Sequence, residues 1–400
     1  MSTLRAFGGW NSGSIYEVDP NKWMSNSNVV SSVDAPAPWL NEYVLNMSDS
    51  SVGQIRECNM NLDPLGSADT FLTMGFWARF ENLPGTNRNF LRFKDVSKPS
   101  NIHCYLSLDS SGNVGLHDSA GVEQATASSA ISADTWYWME IEIEFDDSSG
   151  SMELYIDRSS VASASAIDTV TSSYRGAAPH VMSVLAGASS QNFYVGSFYI
   201  YSDTTALPDR LNKIWVIPYL DDEAADPDFG DPLDVGDGAD LADIPPDGSN
   251  FAKYQQAGDS GVFETSYNGG SWKSGPKNDS RVGTIVGGMW FYQYEFNSVF
   301  GTQALDFHYG AGDGSDGTSS QVLISSSSSR AGVVVEEGSN VPTKWEFGQY
   351  GFGVSGSASP IDIELEEAQF NLLVVPRDNI TLGRGLPSGG GEDVLVWTGG

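Results

Sequence analysis

The stretch Trp136-Tyr137-Trp138-Met139-Glu140-Ile141-Glu142-Ile143-Glu144-Phe145 decides the fold. It alternates with a period of two, as a strand with one buried face does. Tyr137, Met139, Ile141, Ile143 and Phe145 point one way. Trp136, Trp138, Glu140, Glu142 and Glu144 point the other. The polar turn Asp146-Asp147-Ser148-Ser149-Gly150 follows, then Ser151-Met152-Glu153-Leu154-Tyr155-Ile156-Asp157. Two alternating runs joined by a short Asp/Ser/Gly loop read as a β-hairpin.

Working outward, similar runs recur at close spacing. Leu4 to Trp10, Gln54 to Met60, Phe71 to Phe80, Asn89 to Asp95, His103 to Asp109 and Val114 to His117 precede the hairpin. Val181 to Leu185 and Phe193 to Tyr201 follow it. No segment of this half carries a helical period, and the rhythm is that of an antiparallel sandwich. The chain restarts at Leu207-Pro208-Asp209-Arg210. A strand at Lys213 to Tyr219 leads into the acidic stretch Asp221 to Asp247, which holds no Lys or Arg. A second series then runs from Phe251 to Val375, and beyond Pro376 the sequence becomes Gly-rich. The expected fold is all-β, two tandem antiparallel β-sandwiches. The expected units are residues 1–206, residues 207–376 and a C-terminal tail, 377–400, that docks on its own chain or on a partner. The halves echo each other: Met74-Gly75-Phe76-Trp77 resembles Gly287-Gly288-Met289-Trp290, and Thr135-Trp136 resembles Lys344-Trp345.

Composition narrows the function. Acids outnumber bases 52 to 20 over 400 residues, a formal charge of −32. Nucleic-acid binding and attachment to anionic membranes need the opposite balance. No apolar run approaches the roughly 18 residues that a membrane helix requires. The start, Met1 to Ala6, lacks a charged region followed by an apolar core, so no signal peptide is expected. Cys58 and Cys104 are too few for a disulfide framework and read as buried thiols. His103, His117, His180 and His308 are scattered without metal-ligand spacing, so no metal and no cofactor is expected. Calcium is the one candidate ion, through the carboxylates of Asp221 to Asp247, but the ordered ligands of a calcium loop are absent and a solvated loop is the simpler reading. Gly310 to Gly317 reads as a turn and Ser325 to Ser329 as an edge segment. No Ser/His/Asp arrangement or phosphate-binding loop is legible.

The hairpin, with its Trp-initiated strand and its Glu153-Leu154-Tyr155-Ile156-Asp157 partner, resembles the laminin-G-like, or concanavalin-A-like, jelly roll. The closing run Phe193 to Asp203 fits the same family, and the resemblance spans residues 50 to 203. Arg158 stands where that family usually has Gly, so the turn is expected to differ. The whole arrangement also resembles a group of tailed-bacteriophage structural proteins, through Gly8 to Glu17, the restart at Leu207 to Arg210 and the phrase Ala242 to Asn250. That resemblance implies a non-enzymatic virion protein, assembled in the host cytoplasm and exposed on the tail or capsid. It implies other virion proteins as partners, a homo-oligomer, and contact with a host surface polysaccharide. Two alternatives stand beside it: a lectin-like carbohydrate-binding module and a polysaccharide hydrolase. The hydrolase would use Glu140, Glu142 and Glu144, because one group of concanavalin-A-like glucanases carries a Glu-x-Asp-x-Glu strand; here Glu142 replaces the central Asp. Trp136 and Trp138 on the same face would stack on sugars. The simpler expectation is that these acids form a solvated strand face, with no catalytic residue and no assigned ligand-binding residue.

Overall fold

The computed structural model describes residues 2–8, 68–171 apart from 96, 97 and 99, 176–182 and 193–220, and elsewhere strands alone. No helix occurs among them, and every strand pairing is antiparallel. The first fifteen strands are β1 (Thr3–Gly8), β2 (Trp23–Ser25), β3 (Val30–Ser32), β4 (Val44–Asn46), β5 (Glu57–Met60), β6 (Phe71–Phe80), β7 (Arg88–Asp95), β8 (Ile102–Leu108), β9 (Val114–His117), β10 (Glu123–Ala127), β11 (Trp136–Glu144), β12 (Gly150–Ile156), β13 (Ser159–Ile167), β14 (Ala177–Met182) and β15 (Phe193–Asp203). An eight-stranded sheet runs β13-β12-β11-β6-β15-β4-β3, with β1 also on β15. A seven-stranded sheet runs β10-β9-β8-β7-β14-β5-β2.

The two sheets bury one core between them. Met74, Phe76, Ile141, Ile143 and Leu154 of the first sheet join Phe90, Phe93, Leu106, Val114 and Leu116 of the second in a single apolar cluster. Alternation makes this possible, since each strand sends every second side chain to the shared interior. At one end Phe80 and Phe193 stack with ring centroids 4.5 Å apart, and Phe90 meets Phe80 edge to face. Cys104 lies in this core as a free thiol, and burial raises its pKa far above the ordinary value. Burial also lowers the pKa of His103, whose ring accepts from the Thr171 N–H at Nδ1 (3.1 Å) and meets the Gly176 carbonyl at Nε2 (3.2 Å).

The hairpin forms as its sequence dictates, with Met139 opposite Ile156 and Glu144 opposite Ser151. Asp146 ties its loop by accepting the N–H groups of Ser149 and Ser148, and those bonds lower its pKa to about 2. The next turn carries Arg158 where a glycine was expected, yet it keeps a tight hairpin geometry. Asp157 and Arg158 both take positive φ, 48° and 75°, and Ile156 faces Ser159. This is a two-residue hairpin turn of the kind usually filled by Asn-Gly, built here without glycine. It directs β13, whose Ser/Ala sequence has no apolar alternation and is not legible as a strand. The polar edge strand β10 is likewise not legible. The run Phe193 to Asp203 is an interior strand, paired with β6 on one side and with β1 and β4 on the other.

The second half contributes β16 (Trp215–Leu220), β17 (Ala252–Gln256), β18 (Gly261–Ser266), β19 (Val282–Ser298), β20 (Gln303–Gly310), β21 (Asp316–Ile324), β22 (Arg330–Glu337), β23 (Gln349–Ser355) and β24 (Ile361–Pro376). They form a sheet β16-β24-β19-β22, with β17 on β24, and a sheet β18-β23-β20-β21. The sequence echo extends to pairing. β24 lies between β16 and β19 as β15 lies between β1 and β6, and β19 then pairs β22 as β6 pairs β11. Gly75 faces Glu140 and Tyr199, while Gly288 faces Glu336 and Leu372. Gly310 pairs with Asp316, so the segment read as a turn joins β20 to β21. The acidic stretch 221–247, the serine run 325–329, the phrase 242–250 and the tail 377–400 lie outside the described residues, as do residues 9–17.

Trp138 is fully buried and Trp136 is half-buried. Trp138→Ala is expected to cost about 3–5 kcal/mol, the range for deleting a core aromatic side chain. Trp136→Ala costs clearly less. Thermal denaturation of the two variants, followed by circular dichroism, reads the difference.

Candidate functional site

The carboxylate row of β11 is only partly solvated: Glu142 and Glu144 keep intermediate exposure, but Glu140 does not. Glu140 is 0% exposed and so is Trp138 beside it. The expectation of an open acidic face is corrected here, and the reason is the segment that follows β15. Residues 207–214 lie across the outer face of the eight-stranded sheet as a strap. Thr73 donates to the Pro208 carbonyl (2.9 Å), and the Trp77 indole N–H donates to the Ile214 carbonyl (3.3 Å). The backbone N–H of Leu211 donates to the Tyr199 hydroxyl (3.0 Å), and that of Asn212 donates to Glu140 Oε1 (2.9 Å). Asn212 reaches this position with φ of 59°, a left-handed conformation that Asn tolerates better than most residues.

Side chains complete the clamp. The Tyr199 hydroxyl donates to Glu140 Oε1 at 2.5 Å. Burial, and then the adjacent Glu140 carboxylate, hold the Tyr199 phenol well above its ordinary pKa, so it remains a donor. Arg210 sits between two carboxylates, with Nη1 3.6 Å from Glu140 Oε2 and Nε 3.5 Å from Glu142 Oε1. Its guanidinium covers the Tyr155 ring at 3.5 Å, and the Tyr155 hydroxyl donates to Glu142 Oε2 at 3.0 Å. Burial raises the Glu142 pKa, against the lowering effect of Tyr155 and Arg210. Lys213 pairs with Asp157 at 2.8 Å and lies over the Trp77 ring. Gly75 makes the floor. A Cβ there would lie 2.4 Å from the Tyr199 ring and 2.6 Å from the Trp138 ring, so only glycine lets both rings cross β6.

The three acids therefore separate. Glu140 and Glu142 meet at Arg210, whereas Glu144 faces the Ser151 hydroxyl at 3.4 Å. Residues i and i+4 of a strand lie about 13 Å apart, too far for a retaining carboxylate pair, which needs about 5–5.5 Å. Glu140 and Glu142 are closer, but an arginine and two backbone amides occupy the space a substrate would need. The chemistry of this arrangement is that of a clamp. A buried carboxylate is costly unless its oxygens are bonded and its charge opposed; Asn212 and Tyr199 both donate to Oε1, while Oε2 has no hydrogen bond and is opposed only by the Arg210 charge 3.6 Å away. None of Tyr199, Arg210 and Asn212 was singled out as a site residue; the sequence signals are the restart phrase Leu207–Arg210 and the two cations, Arg210 and Lys213, beside a strongly acidic stretch.

The other sheet brings together residues that looked scattered. Ser107 faces Gly115, and Tyr105 faces His117, across β8 and β9. The Ser107 Oγ to His117 Nε2 distance is 2.8 Å. A serine and a histidine ten residues apart meet because the β8–β9 hairpin folds them onto one face. His180 and His308 lie on β14 and β20. Among the described residues no group of three His, Cys, Asp or Glu is placed to hold a metal ion.

No known family model matches the chain, and no curated protein matches its sequence. Solved structures do resemble it. A conserved carbohydrate esterase from Shiga toxin-encoding bacteriophage phi24B is 11% identical over 51% of this chain and all of its own, with a TM-score of 0.37. The cellulose induced protein Cip1 is 10% identical over 51% of this chain and all of its own, with a TM-score of 0.38. The lectin UEA-II in complex with galactose is 10% identical over 51% of this chain and 98% of its own, with a TM-score of 0.34.

Removing Arg210 leaves Glu140 buried without its counter-charge. Arg210→Ala is expected to destabilise the first sandwich toward the lower end of the roughly 3–5 kcal/mol typical of a broken buried pair, because Arg210 keeps 25% of its side-chain exposure. Adding Glu140→Gln to that variant recovers part of the loss, and a double-mutant cycle in urea measures it.

Proposed function

We propose that the chain is a non-enzymatic structural protein of a bacteriophage virion, displayed on the tail or the capsid surface, whose first sandwich contacts host surface glycans. The observation that carries the reading is the covered carboxylate row. The strand most like a glycosidase strand spends Glu140 on the Asn212 amide and the Tyr199 hydroxyl, and shares Arg210 between Glu140 and Glu142. Its residues serve to fix the start of the second half. The high negative charge supports a soluble particle surface in salt water, where repulsion between subunits is screened. Assembly in the host cytoplasm, a homo-oligomeric subunit and contacts with other virion proteins belong to the same proposal.

The test has two parts. The purified full chain, incubated with soluble polysaccharides, is expected to release no reducing ends above buffer; release that disappears in Glu140→Gln would overturn the non-enzymatic reading. Antibody raised against the chain is expected to decorate intact particles in negative stain. Particles that stay bare while free chain is labelled would remove the virion role.

A further inference from the structure

After β13, at the edge of the eight-stranded sheet, the chain crosses to β14 inside the seven-stranded one. Residues 168–171 open that crossover, and they are tied to three places at once. Thr169 is fully buried against the β11–β12 loop: its N–H donates to the Asp146 carbonyl (3.0 Å), and its hydroxyl accepts the Asp146 N–H (2.9 Å) and donates to the Glu144 carbonyl (2.7 Å). Gly150 leaves room for it, since a Cβ there would collide with the Thr169 hydroxyl. The Asp168 carbonyl accepts the Ser119 N–H of the turn between β9 and β10 (2.9 Å). Thr171 makes the third tie, to β8. Its hydroxyl donates to the Ile102 carbonyl (2.6 Å), and its N–H donates to His103 Nδ1 (3.1 Å). We propose that His103 is an acid-sensitive pin: protonation of its ring breaks the Thr171 anchor and loosens residues 168–171 from the strands they join.

The hydrogen bonds fix the protonation of the ring. At Nδ1 the partner is a backbone N–H, which can only donate, so Nδ1 is bare. At Nε2 the partner is the Gly176 carbonyl (3.2 Å), which can only accept, so Nε2 carries the proton. The neutral ring is thus used as one acceptor and one donor. A histidinium has two donors and no acceptor. It would set an N–H against the Thr171 N–H, and flipping the ring does not help, because both nitrogens then donate. The side chain is 0% exposed, so the conflict is relieved only by moving the segment.

The surroundings act in the same direction. The end of β11 contributes the uncharged ring of Phe145, 6.0 Å away between centroids. Two charged groups face the imidazole, Asp95 of β7 and Asp168 of the crossover. Burial lowers the His103 pKa below its ordinary 6.5, against the raising effects of the Gly176 bond and of these two carboxylates. Both carboxylates are engaged elsewhere, Asp95 with the Lys98 N–H (3.1 Å) and Asp168 with the Val170 N–H (3.0 Å). The closed form therefore takes up a proton less readily than the open form. The pin is fully held above about pH 6.5 and weakens as pH falls below it, by about tenfold in the opening equilibrium for each pH unit, until the closed ring itself titrates. Asp146, which ties the neighbouring loop, has its pKa lowered to about 2 by the Ser149 and Ser148 N–H groups, so that loop stays charged and tied while the pin loosens.

The experiment is amide hydrogen exchange on the full chain between about pH 7.5 and 5, corrected for the intrinsic pH dependence of exchange. The Thr171 amide is expected to lose protection by about tenfold per pH unit below about 6.5, while the amides of β6 keep theirs. His103→Gln, which cannot gain a charge, is expected to abolish that dependence. Equal protection of Thr171 across the range would overturn the pin, and so would a dependence that persists in His103→Gln. If that variant fails to fold, nitrogen NMR of the parent chain reads the ring directly. The expected result is an Nε2–H tautomer at neutral pH and a titration midpoint below 6.5 that coincides with the loss of Thr171 protection. A ring that protonates while Thr171 stays protected would overturn the proposal.

Discussion

A carboxylate buried on the outside of a sheet organises this molecule. Glu140 has no solvent exposure, yet it stands on the face of β11 that points away from the apolar core. A charge in that position persists only if something brings it donors and an opposing charge. The strap brings the Asn212 amide and Arg210, and β15, the next strand but one, brings Tyr199 across Gly75 of β6. The consequence spreads along the chain. On the outer face Thr73 and Trp77 of β6, Trp138 and Glu140 of β11 and Tyr199 and Tyr201 of β15 become buried, and the run leading into β16 is fixed only three residues before that strand begins. The same constraint removes the face from the chemistry that its sequence suggests.

The two halves repeat a pairing scheme with different contents. In both, an early strand pairs the last one, and the last one pairs a long strand carrying the Gly-x-Trp phrase. Gly75 and Gly288 sit at matching places in that scheme, each opposite a glutamate. In the first half the glycine lets two rings pass over the backbone. The second sandwich thus answers the first in topology, as the short sequence echo implied.

Much of the fold was legible because alternation is a local property. Met139, Ile141, Ile143 and Phe145 were correctly assigned to the core from spacing alone. The Ser/Ala strand β13 was not legible, because a turn and a neighbour impose it without any apolar pattern. The candidate site was harder. Glu140 and Glu142 could be singled out, but whether they met water or protein depended on Arg210, 70 residues further on. The meeting of Ser107 with His117 was hidden for the same reason, since the two become neighbours only through strand register. Periodicity tells which way a side chain points. It does not tell what arrives to cover it.

The most direct measurement is amide hydrogen exchange at Leu211 and Asn212 in the intact chain. These two N–H groups belong to no strand and donate to the Tyr199 hydroxyl and to Glu140 Oε1. If the strap is clamped as described, both amides exchange as slowly as those of the adjoining strands β6 and β11. Exchange at the rate of an open loop would mean that the carboxylate face is uncovered in solution, and the account of a sealed, structural Glu140 would fail.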